Sequence, residues 1–310
     1  MILITEFMDE DAIRDGLAGF DVRYDPTLVD QPQALLEAVR EARALIVRNR
    51  TQVRGDVLAA ATKLEVIGRL GVGLDNIDVE ACRARNIKVY PASGANDVSV
   101  AEYVIATAMV LLRGAYQATP ELVAGQWPRN RLVGREISGK CLGLIGFGSI
   151  ARETAQRAAA LGMTVVAFDP YVAADAPVWT QPWGKVQSLD LAKLLAAADV
   201  MSLHVPLTPE TRSMIDAKAI AGMKNDAVII NAARGGVVDE AAVAAALKAG
   251  KLGGAALDVF DKEPIGNSGA VFADAPNLIL TPHIAGVTVE SNVRVSRVTV
   301  DNVARHLKGA

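Results

Sequence analysis

The sequence predicts an α/β protein of two domains, each with a parallel sheet covered by helices, and a cleft between them. With 310 residues the chain is longer than one hydrophobic core usually serves. Short runs rich in Val, Ile and Leu alternate with longer Ala-rich stretches of helical spacing, as parallel strands alternate with crossover helices. The alternation occurs twice along the chain, which favours two such sheets.

The first series of apolar runs predicts the strands of a small first domain. They occupy residues 2–7, 21–24, 44–47, 65–70 and 88–90. The next stretch, residues 99–112, is apolar but interrupted by Glu102, Tyr103 and Thr107, which favours a buried helix over a strand. This helix would lead into the second domain.

The second series predicts six parallel strands, enough for a Rossmann-like sheet. They occupy residues 141–145, 164–168, 200–203, 227–231, 254–259 and 278–280. After Thr288 the remaining residues predict one amphipathic helix that crosses back to cover the first domain. The predicted fold class is therefore two Rossmann-like or flavodoxin-like domains with parallel sheets.

The bulk composition limits the classes of partner. Net charge is −3 and no block of Lys and Arg stands out, so nucleic acid is not expected as a partner. No apolar run approaches the roughly 20 residues that span a bilayer, and the first residues lack a basic start. We therefore expect a soluble cytoplasmic protein without a membrane partner. Cys82 and Cys141 have no CxxC spacing, so neither a disulfide framework nor a metal site is expected.

A glycine-rich turn follows the first strand of the second series. Residues 146–151, Gly-Phe-Gly-Ser-Ile-Ala, join that strand to a helix in the G-x-G-x-x-G/A pattern of dinucleotide-binding turns. Gly146 allows the turn, Gly148 lets the backbone approach a pyrophosphate, and the small Ala151 lets helix and strand pack closely. Ser149 and Ile150 lie at the amino end of the helix, where free N–H groups favour a phosphate.

The next strand ends at Asp169, 21 positions after Gly148. A carboxylate there accepts hydrogen bonds from the adenosine ribose hydroxyls and repels a 2′-phosphate, for which Pro170 and Tyr171 offer no cation. NAD is therefore expected rather than NADP. The alternative is a structural turn with a solvated aspartate beside it.

Three charged residues follow predicted strands at the carboxyl edge of the second sheet, where ligands of this fold bind: Arg234, Glu263 and His283. Hydride transfer at a carbinol carbon needs a base for the hydroxyl proton, a partner that tunes this base, and a cation for the substrate carboxylate. His283, Glu263 and Arg234 could fill these roles in that order. The alternative is a half-buried histidine and two salt-bridge residues. Of the other histidines, His306 is expected on the surface, whereas His204 could line the cofactor or serve packing.

With these motifs the sequence resembles the D-isomer-specific 2-hydroxyacid dehydrogenase family over nearly its whole length, especially its phosphoglycerate dehydrogenase branch. The matching segments are residues 68–78, 99–102, 146–151, 202–206, 231–236, 258–264 and 281–286. The resemblance implies that Arg234 binds substrate, that Glu263 raises the basicity of His283, and that His283 is the acid/base. It also implies a homodimer built around the cofactor domains. Ala151 replaces the commoner third glycine, which the pattern tolerates.

The resemblance also implies how the domains are divided. Residues 1–98 with 287–310 would form a discontinuous substrate-binding domain, and residues 99–286 the NAD-binding Rossmann domain. The residues expected to contact NAD are Gly146, Gly148, Ser149, Ile150, Asp169, His204, Val205, Pro206, Ala232, Ala233, Asp258, Ala285 and Gly286.

Two arginines follow a predicted strand of the first domain. In family members that act on 3-phosphoglycerate this loop carries arginines toward the distal phosphate, and Arg48 and Arg50 match them; surface charges are the alternative. The substrate carboxylate would then be bound by Arg234 and by backbone N–H groups around Val72 and Gly73.

The predicted reaction is NAD-dependent oxidation or reduction at C2 of a small D-type 2-hydroxy acid, or its 2-keto acid, with a second anionic group. 3-Phosphoglycerate and (S)-3-sulfolactate both fit, and the sequence leaves this choice open. Glyoxylate or hydroxypyruvate reduction is the alternative among enzymes, and an NADH-sensing, corepressor-like binding protein is the alternative from another class. Because the sequence ends at Ala310, serine feedback through an added domain is not expected.

Overall fold

The computed structural model describes residues 1–309, and by its internal contacts the chain divides into two compact units. One comprises Met1–Asn96 and the residues from Val287 onward, and the other comprises Asp97–Gly286. Which unit binds the substrate and which binds the cofactor stays a prediction at this point.

The first unit is built on a five-stranded parallel sheet with the strand order β2-β1-β3-β4-β5, which is the flavodoxin-like order. Its strands are β1 (Ile2–Ile4), β2 (Val22–Tyr24), β3 (Ala44–Val47), β4 (Val66–Arg69) and β5 (Lys88–Pro91). Its first helices are α1 (Glu10–Gly16), α2 (Pro32–Ala38), α3 (Gly55–Ala60) and α4 (Val79–Ala84). The predicted strand over residues 2–7 is too long, because the chain leaves the sheet after Ile4 and Phe7 is 59% exposed.

The second unit is built on a seven-stranded parallel sheet with the order β10-β7-β6-β11-β12-β13-β14. Its strands are β6 (Cys141–Ile145), β7 (Thr164–Phe168), β10 (Gln187–Ser188), β11 (Val200–Leu203), β12 (Ala227–Asn231), β13 (Leu252–Leu257) and β14 (Leu278–Leu280), and the antiparallel pair β8 (Thr180–Gln181) and β9 (Gly184–Lys185) lies outside this sheet. Its helices are α5 (Asp97–Arg113), α6 (Thr119–Val123), α7 (Ser149–Ala160), α8 (Leu191–Ala197), α9 (Ala217–Ala221) and α10 (Glu240–Lys248). The order is the doubly wound Rossmann arrangement extended by one strand, so the predicted fold class is confirmed.

Two predictions about the second sheet need correction. The edge strand β10 was not predicted, because Gln187 and Ser188 form a two-residue strand without an apolar run. The strand predicted over residues 254–259 lies at Leu252–Leu257 instead. Its glycines weaken the apolar signal at its start, and the chain leaves the sheet before Asp258.

Helices of both units begin at aspartates whose side chains accept a hydrogen bond from the backbone three residues on, which satisfies an N–H group that the helix leaves free. These N-cap residues are Asp9, Asp78, Asp190, Asp216 and Asp239. The predicted buried helix is α5, and it contributes Val100, Val104, Ala108 and Leu111 to the core of the second unit.

The final helix, α11 (Val289–Leu307), belongs to the first unit. It begins with a reciprocal cap between Thr288 and Ser291. It packs closely on β4 because Gly68 has no side chain: a Cβ there would lie 2.7 Å from Thr299 Cγ2. Apolar residues of α11 such as Val303 belong to the hydrophobic core of the first unit.

Among residues 1–309, no single helix is long and apolar enough to span a membrane. By length and composition alone, the bent pair formed by Asp97–Arg113 and Ala115–Val123, which meet at 63°, passes the same test.

Candidate active site

The glycine-rich turn joins β6 to α7 in the second unit. Gly146 has φ of +88°, and a Cβ there would lie 2.5 Å from the His204 carbonyl oxygen, so only glycine fits. A Cβ added at Gly148 would meet nothing within 4 Å, which shows that the backbone faces open space. Helix α7 begins at Ser149 and Ile150 without a side-chain cap, so its first N–H groups can bind an anion.

Asp169 follows β7 and lies beside this turn. Its Oδ2 accepts the Phe147 N–H at 2.9 Å, and its Oδ1 accepts the Tyr171 N–H at 3.0 Å. Each oxygen of a carboxylate can accept more than one hydrogen bond, so both can still bind ribose hydroxyls. The open turn, the free helix end and this carboxylate together fit a dinucleotide.

His283 and Glu263 form the centre of the candidate site. The structure joins His283 Nδ1 to Glu263 Oε2 at 2.7 Å, and the two side chains are 39% and 34% exposed. Glu263 Oε1 also accepts the Phe260 N–H at 3.0 Å, which fixes the carboxylate. In the neutral imidazole the Nδ1 proton is then donated to Glu263, and Nε2 is the nitrogen with a free lone pair.

Glu263 stays ionised in this position. Partial burial acts to raise its pKa, but the hydrogen bonds from His283 and the Phe260 N–H, together with the charge of Arg234, hold the pKa below its ordinary value. The carboxylate therefore remains available to stabilise an imidazolium at neutral pH.

Arg234 lies on the loop after β12, next to the Glu263 loop. Asn231 fixes this loop, since its Nδ2 donates to the Arg234 carbonyl at 2.9 Å and its Oδ1 accepts the Ala233 N–H at 3.1 Å. A Cβ at Gly235 would lie 1.8 Å from the Phe260 carbonyl oxygen, so the two loops are in direct contact. The structure therefore brings Arg234, Glu263 and His283 together within the second unit.

The other residues expected to contact NAD lie along the same edge of this sheet. Ala232 and Ala233 precede Arg234, and Val205 and Pro206 follow the end of β11. Asp258 follows β13 and is buried, and its carboxylate accepts the N–H of Ala285, the neighbour of Gly286. The structure thus gives Asp258 a role in holding the His283 loop, which sequence reasoning did not identify.

His204 is packed between the end of β11 and the glycine turn. Its Nε2 lies 3.0 Å from Ser202 Oγ, and burial lowers its pKa to about 4. The imidazole is therefore neutral near pH 7 and does not take part as a cation.

The two arginines of the first unit are in different environments. Arg50 is exposed and forms an ion pair with Asp30, in which Nη1 and Oδ2 are 3.2 Å apart. Arg48 is half-buried: its Nη2 donates to Asn292 Oδ1 at 2.6 Å and its guanidinium lies 5.9 Å from the centre of the Phe7 ring. The sequence predicted the same role for Arg48 and Arg50, but the structure shows that they differ in burial and in their partners.

Sequence reasoning missed the side chains that hold the Arg48 loop. The buried Glu6 carboxylate accepts the N–H groups of Arg48 and Thr51, both at 2.9 Å, and that of Arg50 at 3.1 Å. Asn76 Nδ2 donates to the carbonyls of Arg48 and Thr51. An acidic residue at the end of an apolar run was the available signal for Glu6.

Val72 and Gly73, expected to contact the substrate carboxylate, lie on the loop after β4, with Val72 exposed and Gly73 half-buried. In the part of the chain that the structure describes, no group of three or more His, Cys, Asp or Glu side chains could hold a metal ion.

Comparison with known proteins agrees with this geometry. Residues 105–285 match the family model of the D-isomer specific 2-hydroxyacid dehydrogenase NAD binding domain. The chain is 54% identical to an (S)-sulfolactate dehydrogenase of Chromohalobacter salexigens, over 99% of this chain and 98% of that protein. It is 40% identical to a D-3-phosphoglycerate dehydrogenase of Methanocaldococcus jannaschii, over 99% of this chain but 57% of that longer protein.

A crystal structure of D-lactate dehydrogenase from Aquifex aeolicus, complexed with NAD and lactic acid, superposes with a TM-score of 0.87. The two sequences are 30% identical, and the match covers 100% of this chain and 96% of the other.

The desolvation of His204, which is half-buried, predicts a pH-dependent stability. The folded protein keeps it neutral down to its pKa of about 4, whereas the unfolded chain protonates it below about 6.5. Acid therefore favours the unfolded state over this range. The free energy of unfolding of the wild type minus that of His204→Gln should fall by about 3 kcal/mol between pH 7 and pH 4. Urea unfolding at a series of pH values measures this, and a constant difference would show that His204 is solvated.

Proposed function

The chain belongs to the D-isomer-specific 2-hydroxyacid dehydrogenase family and is an NAD-dependent oxidoreductase, and on this premise we propose that it oxidises (S)-3-sulfolactate at C2. The choice of this substrate rests on the 54% identity to an (S)-sulfolactate dehydrogenase over nearly the full length of both chains. D-3-Phosphoglycerate, with the same arrangement of a carboxylate and a distal anion, is the second candidate, supported by the 40% identical relative.

The surroundings of Arg48 support a distal anion of low charge. Burial lowers the pKa of Arg48 from its ordinary value, and the nearby charge of Glu6 offsets only part of this effect. The guanidinium itself contacts Asn292 and the Phe7 ring, which carry no charge. An anion would offset the cost of this desolvation. Because Arg50 is engaged with Asp30, one guanidinium is available for this purpose. A sulfonate carries a single negative charge, whereas a phosphate monoester carries about −1.5 to −2 at neutral pH, so this arrangement favours the sulfonate.

The strand-end residues of the second unit supply the chemistry. Bound NAD would supply the acceptor for the hydride that leaves C2 of the substrate. His283 takes the proton of the C2 hydroxyl at Nε2, while Glu263 stabilises the resulting imidazolium through the bond to Nδ1. Arg234 binds the carboxylate of the substrate, which it suits through its paired N–H donors. The turn at Gly148, the amino end of α7 and Asp169 hold the cofactor.

Substitution of the proposed base tests this mechanism. His283→Ala should lower kcat about a thousandfold while leaving the Kd for NADH unchanged, since a positioned proton acceptor contributes roughly 10²- to 10⁴-fold. Glu263→Gln should lower kcat by a smaller factor, because the imidazole of His283 remains in place. Steady-state rates of NADH formation and a fluorescence titration with NADH measure the two quantities. Near-normal rates in His283→Ala would show that another group accepts the proton.

The two arginines provide a matched pair of variants for the distal anion. Arg48→Gln should raise the KM for (S)-3-sulfolactate by about tenfold or more, since a charge-assisted bond is lost, whereas Arg50→Gln should have little effect. D-Lactate lacks the distal group and serves as the control substrate, so its KM should be similar in all three proteins. An equal rise in KM for both substrates would mean that Arg48 supports the fold and not the anion.

We also propose that the enzyme is a homodimer. Large exposed apolar side chains lie close together in sequence, on α5, on α6, in the segment between these helices and in the segment after α6. They are Met109, Tyr116, Leu122, Val123, Trp127 and Val133. Val123 is 84% exposed and Trp127 is 81% exposed. Apolar patches of this kind commonly mark a protein interface, and a second copy of the chain would cover this one.

Light scattering of purified variants tests the dimer. The double variant Val123→Asp, Trp127→Asp should give the mass of one chain, because burying two carboxylates in an apolar interface is unfavourable. Val289→Asp, at an exposed valine of the first unit, should keep the mass of the wild type. A double variant with the mass of two chains would place the interface elsewhere.

A cytoplasmic location is also proposed. The free thiols of Cys82 and Cys141 are consistent with a reducing compartment.

A further inference from the structure

A chain of hydrogen bonds runs from helix α5 to the loop of His283, within the second unit. Tyr103 Oη lies 2.7 Å from Thr281 Oγ1, and Thr281 Oγ1 donates to Asp258 Oδ1 at 2.6 Å. The hydroxyl hydrogen of Thr281 is used by the carboxylate, so the Tyr103 hydroxyl is the donor in the first bond. The chain is therefore directed from Tyr103 through Thr281 to Asp258.

Asp258 holds the backbone of His283 and of the two residues that follow it. Its Oδ1 accepts the Ile284 N–H and its Oδ2 accepts the Ala285 N–H, both at 2.8 Å. Its backbone carbonyl accepts the His283 N–H at 2.7 Å. The side chain is 1% exposed, so loss of any donor would leave a buried carboxylate oxygen short of a partner.

The His283 backbone needs such support. Its φ of +58° lies in the left-handed region, which is unfavourable for a residue with a side chain and persists only where surrounding contacts impose it. Tyr103 offers a firm anchor, because its helix is packed into the core through Val100 and Val104. Burial raises the pKa of Tyr103, which keeps the phenol protonated as a donor.

We propose that Tyr103 and Thr281 are positioning residues that fix the backbone of His283 through Asp258, and so set the direction in which the imidazole meets the C2 hydroxyl. This rests on the proposed role of His283 as the proton acceptor. A misdirected base slows the chemical step more than it weakens binding, because the groups that hold the carboxylate and the distal anion stay in place.

Tyr103→Phe and Thr281→Val each remove one hydroxyl from the chain. Both should lower kcat about tenfold, with KM and the Kd for NADH changed by less than about twofold. With a C2-deuterated substrate the isotope effect on kcat should rise, because hydride transfer becomes more rate-limiting. Thr281→Ser keeps the hydroxyl and should restore the rate.

Thr107→Val is the matched control. This hydroxyl is also buried on α5, and it donates to the Tyr103 and Val104 carbonyls of its own helix. Its loss should leave kcat and the isotope effect unchanged. The assays use whichever of (S)-3-sulfolactate, D-3-phosphoglycerate and D-lactate the wild type oxidises fastest.

His283→Ala, assayed in parallel, separates two kinds of failure. If His283→Ala loses turnover while Tyr103→Phe and Thr281→Val keep the wild-type kcat, the positioning inference is wrong and the proposed mechanism stands. The inference is also overturned if Thr281→Ser loses as much as Thr281→Val, or if the isotope effect does not change. If His283→Ala keeps its turnover, the proposed mechanism itself fails.

Discussion

The candidate functional side chains stand on loops at the carboxyl ends of parallel strands, and these loops are held by buried polar side chains. Asp258 holds the His283 loop, Asn231 the Arg234 loop, and Glu6 the Arg48 loop. Parallel strands end at one edge of a sheet, which brings the loops of one sheet together, here those of Arg234 and His283 in the second unit. A buried carboxylate or amide is costly unless its hydrogen bonds are made. Each loop therefore has one favourable conformation, in which the acceptors and donors of the buried side chain are satisfied.

Fixed hydrogen-bond partners also explain why one side chain at this sheet edge is charged and another is neutral. Glu263 accepts hydrogen bonds from His283 and a backbone N–H and keeps its charge, whereas His204, packed against the glycine turn, stays neutral. The two histidines differ in their partners: one has a carboxylate at Nδ1 and the other a serine hydroxyl at Nε2. Proton transfer is thus directed to His283.

The sequence was sufficient for the strands of the second sheet because buried parallel strands are continuous apolar runs, and five of the six predicted runs have the bounds of the structure. It was insufficient for β10, which has no apolar residue. The strand ends placed His283 and Glu263 at one edge of the sheet but left two interpretations open, and the resemblance implied their pairing, which the structure shows as a contact of 2.7 Å. The difference between Arg48 and Arg50 was not predicted, because it depends on Asp30 and Asn292, which lie far along the chain from each arginine. The role of the Tyr103 hydroxyl could not be predicted either, because its partner Thr281 lies far along the chain. The sequence predicted only that its helix is buried.

The central claim is that the enzyme recognises a 2-hydroxy acid through a distal group of single negative charge. The most direct test is the initial rate of NADH formation at matched concentrations of (S)- and (R)-3-sulfolactate, D-3-phosphoglycerate, glycerate and D-lactate, each with NAD and with NADP. We expect the highest kcat/KM for (S)-3-sulfolactate with NAD. Equal or better values for glycerate or D-lactate would contradict recognition of a distal anion, and a preference for D-3-phosphoglycerate would contradict the single charge. An absence of turnover with every acid would favour an NADH-sensing binding protein.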